Sequence, residues 1–178
     1  MSIKDNYIDS LLLFSELIVV LLTMYITKSI LTRYYIYKTK DQNYQQNTAF
    51  LIFLSGVLFS VTYLVSGVFE PLSETANIIF IGNEKGIRSE LFLEYMKYLF
   101  LFVILAYTFS SFLVLFSFRF FTILTQRINE LREISRNNIG IAIMAVTIII
   151  VCALVSRNVF IDLIENFIPN EKLEETSI

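Results

Sequence analysis

Residues 47–69 read NTAFLIFLSGVLFSVTYLVSGVF, and residues 138–160 echo them as NIGIAIMAVTIIIVCALVSRNVF. Each copy opens on an Asn, continues as a long apolar run and closes on Leu-Val-Ser followed by Val-Phe. An apolar helix of about 20 residues crosses the hydrocarbon core of a bilayer, since it rises about 1.5 Å per residue. The sequence therefore predicts two membrane-spanning helices of related pattern.

A second long apolar run and a basic loop precede each copy, over residues 8–31 and 95–118. The predicted fold is therefore an all-α integral membrane protein with four transmembrane helices, arranged as two tandem parallel two-helix hairpin repeats. A two-span unit returns the chain to the side on which it began. We therefore expect the two halves to be related by an axis along the membrane normal.

The composition agrees with a membrane protein. Hydrophobic residues make up 56 % of the chain, with a mean hydropathy of +0.66, whereas soluble domains are roughly 45–50 % apolar. We divide the chain into a first hairpin at 8–69, an acidic extracytoplasmic linker at 70–94, a second hairpin at 95–160, and an amphipathic end with an acidic tail at 161–178. This division leaves no room for a soluble catalytic domain of the usual size.

The sequence also predicts local structure for three segments outside the spans. The apolar stretch 77–82 is compatible with a strand, a partly inserted segment or a lid. The third helix is expected to project beyond the membrane through Arg127 and Glu133, because polar and apolar residues alternate there at helical spacing. Residues 159–167 are expected to form a short amphipathic helix on the outer surface.

The residue types disfavour catalysis. The chain has no His, and its single Cys152 lies inside the last span. The commonest acid–base group and the commonest metal ligand are therefore missing from the sequence, as is any thiolate cluster. We predict a non-enzymatic protein without catalytic residues, cofactor or metal site, and we expect no binding of nucleic acid.

Orientation follows from the basic residues. Eight Lys and Arg residues lie in or beside the two hairpin loops, whereas the termini and the central linker are dominated by Asp and Glu. The positive-inside rule then places the hairpin loops in the cytoplasm and both termini outside, in a bacterial inner membrane. The candidate cytoplasmic flank is formed by Lys28, Arg33, Arg119 and Arg127.

Polar residues form one stripe along the first span. Asp9, Glu16 and Thr23 repeat every seven residues, and Thr27 follows one turn later, so the four share a helix face. Such a stripe is typical of a water-lined path or a subunit contact. Glu16 is expected near mid-span, where an ionised carboxylate is costly. Pairing with a basic residue of another helix is the structural alternative.

Two asparagines and four small residues are further candidates. Asn47 and Asn138 are placed to cap the second and fourth spans, and either could instead make a polar contact between helices. Small residues let helix backbones approach closely. The candidate packing positions are Ala49, Gly56, Gly140 and Ala142.

The pattern of an Asn followed two places later by a small residue, in two tandem two-span units, resembles the YjfL-like bacterial membrane proteins, catalogued as domain-of-unknown-function family number 350. The matching positions are Asn47, Ala49 and Gly56 in the first unit, and Asn138, Gly140 and Ala142 in the second. The resemblance covers about residues 11–169. It implies an envelope protein loosely linked to stress responses, and no defined activity.

Two function classes remain open. One is a homo-oligomeric assembly protein that contacts the lipid bilayer and presents its basic loops to a cytoplasmic protein partner or to anionic lipid. The other is an oligomeric ion or small-solute channel, such as a membrane-permeabilising effector, in which Glu16 lines the path. Small multidrug transporters also have four spans with a Glu in the first, but they lack a linker as long as residues 70–94.

Overall fold

The computed structural model describes the backbone of residues 3–81, 89–125 and 129–168, and the side chains of residues 10–80, 89–125 and 129–168. All regular structure in these ranges is helical. The helices are α1 Ile3–Thr39, α2 Thr48–Ser66, α3 Phe69–Ile81, α4 Ser89–Leu124, α5 Glu130–Ser135 and α6 Ile139–Glu165, with a turn of 3-10 helix at Tyr44–Gln46. The predicted all-α fold is confirmed.

Four helical stretches are long and apolar enough to cross a membrane, which confirms the prediction of four transmembrane helices. They are Ser10–Thr39, Thr48–Phe80, Ser89–Leu124 and Ile139–Glu165. Helices α1 and α4 have 37 and 36 residues, or about 55 Å each at 1.5 Å per residue. Their ends therefore project beyond a hydrocarbon core of about 30 Å.

The second span is interrupted once and resumes as α3. Gly67 ends α2, and Pro71 lies in the first turn of α3, where a missing N–H removes no intrahelical bond. One face of α3 is buried, through Leu72, Thr75, Ala76, Ile79 and Phe80. Residues 77–81 are thus helical, so the strand considered for this stretch is wrong. The linker residues 82–88 lie outside the described residues.

Helix α2 is the centre of the bundle, because it packs against α1, α4 and α6. In its most apolar window 56 % of the residues are buried, compared with 22 % in α1, 28 % in α4 and 22 % in α6. The three outer helices therefore leave most of their apolar surface uncovered within one chain. In a membrane, that surface faces lipid or another copy.

Helices α2 and α6 run parallel. Gly56 lies against Val146, and further along both helices the Arg157 guanidinium lies 5.2 Å from the centre of the Tyr63 ring. Helices α1 and α4 run antiparallel to α2, as the Tyr35–Phe50 stack at 3.9 Å shows for α1. The spans consequently alternate in direction, and α1 begins on the side where α6 ends. The origin of this arrangement by duplication stays a prediction.

Two predictions about the helix ends are wrong. Helix α4 ends at Leu124, and residues 130–135 form the separate helix α5, so the third helix does not continue through Glu133. Helix α6 runs without a break to Glu165, so residues 159–165 form no separate surface helix. Its last turns stay in the bundle because they bury Phe160, Ile161 and Ile164. Residues 169–178 lie outside the described residues.

Candidate functional site

The most connected polar residue is Asn47, at the start of α2. Its backbone is extended, and its side-chain oxygen accepts a hydrogen bond from Phe50 N at 2.9 Å, the geometry of a helix N-cap. The side chain is only 7 % exposed. Its Nδ2 also donates to Ile134 O at 2.9 Å and lies 3.3 Å from Ser135 O. Asn47 therefore both caps its own helix and binds the second hairpin loop.

Tyr35 extends this network into the first hairpin loop. Its hydroxyl oxygen accepts from Asn47 Nδ2 at 3.1 Å, and its hydroxyl donates to Asp41 Oδ2 at 3.0 Å. The ring is fully buried and stacks on Phe50. Because each polar group of the chain Asp41–Tyr35–Asn47 has a partner, the network can be buried without leaving an unsatisfied donor.

Asn137 completes the network from the opposite loop, and its role was missed from the sequence. Its side-chain oxygen accepts from Ala49 N at 2.9 Å, which satisfies a second free N–H of the first turn of α2. Its backbone is left-handed, with φ of 60°, a conformation that Asn tolerates better than most residues. The Asn-Asn pair at the end of α5 was the available signal. We call Tyr35, Asp41, Asn47 and Asn137 the loop junction.

Asn138 occupies the position equivalent to Asn47 but differs in its surroundings. It accepts from Ile141 N at 3.3 Å, as an N-cap of α6, and its Nδ2 donates to Glu133 Oε2 at 3.1 Å. The residue is exposed. The two caps are thus alike in local geometry, and only the one at Asn47 joins the two halves of the chain.

The polar stripe of α1 faces the inside of the bundle. Thr23 and Thr27 are 4 % and 7 % exposed, and the apolar Leu12 and Val19 of the same face are also buried. Helices of the same chain therefore cover most of Thr23 and Thr27, and a lumen or a subunit contact formed by this face of α1 stays a prediction. The side chain of Asp9 lies outside the described residues.

Glu16 lies near the end of its span and not at mid-span. The neighbouring Ser15 Oγ is 2.8 Å from Tyr95 OH. The 21 residues between Lys97 and Arg119 form an apolar segment of α4 whose length of about 31 Å matches the hydrocarbon core. Tyr95 precedes that segment, so Glu16 lies at the boundary of the core, at the end opposite the loop junction. The mid-span depth predicted for Glu16 is wrong because α1 extends to Thr39, beyond the predicted end of the span.

At that boundary the carboxylate of Glu16 still differs from its apolar surroundings. It is half-buried, and within the described residues its carboxylate has neither an ion pair nor a hydrogen bond. The alternative of pairing with Lys28 or Arg119 is not realised, because both lie far along their helices toward the loop junction. A half-buried carboxylate without a partner is a group that could bind a cation or a proton.

A cleft opens between α1 and α4, with α2 as its base. Its volume is about 390 Å³. Four of its lining residues, Thr27, Tyr34, Tyr107 and Ser111, have hydroxyl groups, and the others are apolar: Ile30, Leu31, Phe53, Val57, Val61, Val114, Leu115, Phe118 and Leu131. The stripe residue Thr27 therefore adjoins the open space of this cleft.

A comparison with protein families assigns the chain. The family model described as Domain of Unknown Function (DUF350) matches residues 5–160. The chain belongs to this family. Comparison with curated proteins and comparison with solved structures each return no significant match. The resemblance drawn from the two asparagine units is thus confirmed, and the DUF350 match covers both hairpins.

Within this DUF350 chain, three of the four predicted packing positions lie in helix interfaces. Ala49, Gly56 and Ala142 are buried, and a Cβ added to Gly56 would overlap the Val146 side chain, 2.9 Å from its Cβ. Gly140 is exposed, and a Cβ there would meet only Asn138 Oδ1 at 3.5 Å. Gly140 therefore packs in no interface among the described residues of one chain, and a packing role between copies stays a prediction.

The basic residues predicted to form the cytoplasmic flank of this DUF350 chain lie on its surface where they are described. Lys28, Arg33 and Arg119 are exposed, and Arg127 lies outside the described residues. Lys28 precedes Tyr35 of the loop junction by seven residues, about 10 Å along α1. It therefore lies deeper than the predicted end of the span, at a depth from which a long ammonium side chain extends toward the interface. Within the described residues, no group of three or more His, Cys, Asp or Glu could hold a metal ion.

Proposed function

We propose that this DUF350 chain is a non-enzymatic, homo-oligomeric assembly protein of the bacterial inner membrane, acting in an envelope or stress-response system. The observation that supports it best is the position of α1. This helix packs chiefly along α2 and turns a broad apolar face outward. The exposed side chains of that face include Leu13, Phe14, Leu17, Ile18, Leu21, Leu22 and Tyr25.

The interface between copies would not be formed by the buried small residues that the sequence predicts as packing positions. Ala49, Gly56 and Ala142 are already used between α2 and its neighbours, so they are unavailable to a second copy. Contacts between copies would therefore use the larger side chains of the outer helices. In a membrane such contacts gain from close packing, because lipid tails are as apolar as the helix surface.

Cysteine cross-linking in native membranes tests the proposal. In a Cys152→Ala background, single cysteines replace the exposed Leu17 or Leu21, and Val19, buried on the opposite face of α1, serves as the matched control. We expect a disulfide-linked dimer from at least one exposed position and none from Val19. A single chain of 20.7 kDa in detergent, without cross-links from the exposed faces of α1, α4 and α6, would rule out the homo-oligomer.

A second candidate function, a conduit, is favoured by Glu16 alone. Its carboxylate is half-buried and lacks a partner among the described side chains, beside the Ser15–Tyr95 hydrogen bond. Ion flux through purified protein in liposomes would separate the two functions. If the protein is a conduit, the native chain should carry a potassium or proton flux. Glu16→Gln should then abolish this flux or change its ion selectivity, while the oligomeric state stays the same. If the native chain carries no flux, the conduit is ruled out and the assembly function remains.

A further inference from the structure

The cleft between α1 and α4 is open along its side. The two helices meet near the start of α4, where Ser15 and Tyr95 form a hydrogen bond. Toward the loop junction, both still pack on α2 and contact each other little. The space between them is the cleft of about 390 Å³. In a bilayer its open side faces lipid.

The length of the cleft equals one leaflet. Its lining residues on α4 run from Tyr107 to Phe118, which is about 16 Å at 1.5 Å per residue. Half of a hydrocarbon core of about 30 Å is about 15 Å. The end at Tyr34 and Phe118 lies at the level of the loop junction, where the membrane interface is expected, and the end at Tyr107 reaches toward the bilayer centre.

The lining of the cleft suits a hydrocarbon chain. Nine of its 13 lining residues are apolar and none is charged. An acyl chain would therefore meet mostly apolar side chains there, without taking a charged group out of water.

Cations flank the interface end of the cleft on both walls. Lys38 is exposed and lies four residues after Tyr34, on the same face of α1. Arg119 is also exposed and directly follows Phe118 on α4. These two side chains are placed to meet a phosphate at the headgroup level, while the cleft takes the chain attached to it.

We propose that the cleft binds one acyl chain of an anionic phospholipid from the leaflet on the loop-junction side, with Lys38 and Arg119 beside its phosphate. The polar ends of ligand and cleft coincide at the interface, and their apolar parts coincide in the core. This site is independent of the oligomer proposed above, since all of its residues belong to a single chain.

Tryptophan quenching tests the site, because the chain contains no Trp and any introduced Trp is its only one. The Tyr107→Trp variant reports from the cleft. Ile104→Trp is the matched control, since Ile104 lies one turn away on α4, is 61 % exposed and lines no part of the cleft. Each variant is reconstituted in phosphatidylcholine with increasing fractions of brominated phosphatidylglycerol or brominated phosphatidylcholine.

We expect brominated phosphatidylglycerol to quench the Tyr107→Trp variant at about fivefold lower mole fraction than brominated phosphatidylcholine, as one lysine near an anionic surface predicts. Adding Lys38→Ala and Arg119→Ala together should remove that difference, and Ile104→Trp should respond equally to both lipids. Equal quenching of the cleft variant by both lipids would overturn the headgroup selection. Protection from both would overturn the lipid and indicate a protein occupant, such as a second copy. Val114→Trp repeats the measurement if the first variant fails to fold.

Discussion

The side chain of Asn137 accepts a hydrogen bond from the backbone N–H of Ala49, at 2.9 Å. In return, Asn47 donates to the carbonyl of Ile134, just before Asn137 in the chain. The first turn of α2 is therefore held from both hairpin loops at once. Because α2 is the central helix, this junction ties together the two hairpins that the sequence presents as separate units.

The loop junction makes Asn47 more important to stability than its counterpart. Asn47→Ala removes the cap of α2 and the buried hydrogen bonds from its Nδ2 to Ile134 O and to the Tyr35 hydroxyl, so we expect the free energy of unfolding to fall by about 2–4 kcal/mol. Asn138→Ala, the matched control, removes an exposed cap and an exposed hydrogen bond to Glu133 and should cost about 0.5–1 kcal/mol. Denaturant titration in detergent measures both. Equal losses would contradict the assigned role of the junction.

Gly56 and Gly140 form a second matched pair. A Cβ at position 56 overlaps Val146, so Gly56→Ala should destabilise the contact between α2 and α6 by about 1–3 kcal/mol. At position 140 the added methyl makes only an ordinary contact with Asn138 Oδ1 at 3.5 Å and removes glycine's entropy cost, so Gly140→Ala should be neutral or stabilise by up to about 1 kcal/mol. Thermal unfolding in the same detergent compares them, and a larger loss at Gly140 would refute this packing.

The pairs Asn47/Asn138 and Gly56/Gly140 separate what the local sequence predicts from what depends on tertiary packing. The apolar run lengths and the Asn before each run predict the four spans and the positions of Asn47 and Asn138, because spanning and capping depend on neighbouring residues. Whether an asparagine is buried depends on which loop lies against it. The partner loop of Asn47 is 87 residues away, and no local pattern encodes that distance.

The depth of Glu16 illustrates the same limit. From the sequence, α1 was expected to end near Leu31, which puts Glu16 in the middle of its span. The helix continues to Thr39, and the Ser15–Tyr95 hydrogen bond aligns its outer part with the start of α4. Helix register between neighbours thus sets the depth of a residue, and register follows from packing that a single apolar run does not specify.

Lys40 stores backbone strain at the end of α1. Its φ is 62°, a left-handed conformation that costs a non-glycine residue about 1–2 kcal/mol. Lys40→Gly should therefore raise the free energy of unfolding by about 0.5–1 kcal/mol. Arg33→Gly, at an exposed position inside the same helix, should lower it by about 1 kcal/mol. Chemical unfolding of the two variants checks the opposite signs, and destabilisation by Lys40→Gly would argue against the left-handed turn.

The orientation of the bundle is tested by labelling its two ends. The loop junction places Gln42 and Arg136 on the same side, since their loops are hydrogen-bonded to each other. The exposed Glu94, at the start of α4, lies at the other end. In the Cys152→Ala background, an impermeant maleimide should label Glu94→Cys in intact cells, and Gln42→Cys and Arg136→Cys only after lysis, because basic loops stay in the cytoplasm. The reverse pattern would invert the topology and place Glu16 at the cytoplasmic boundary.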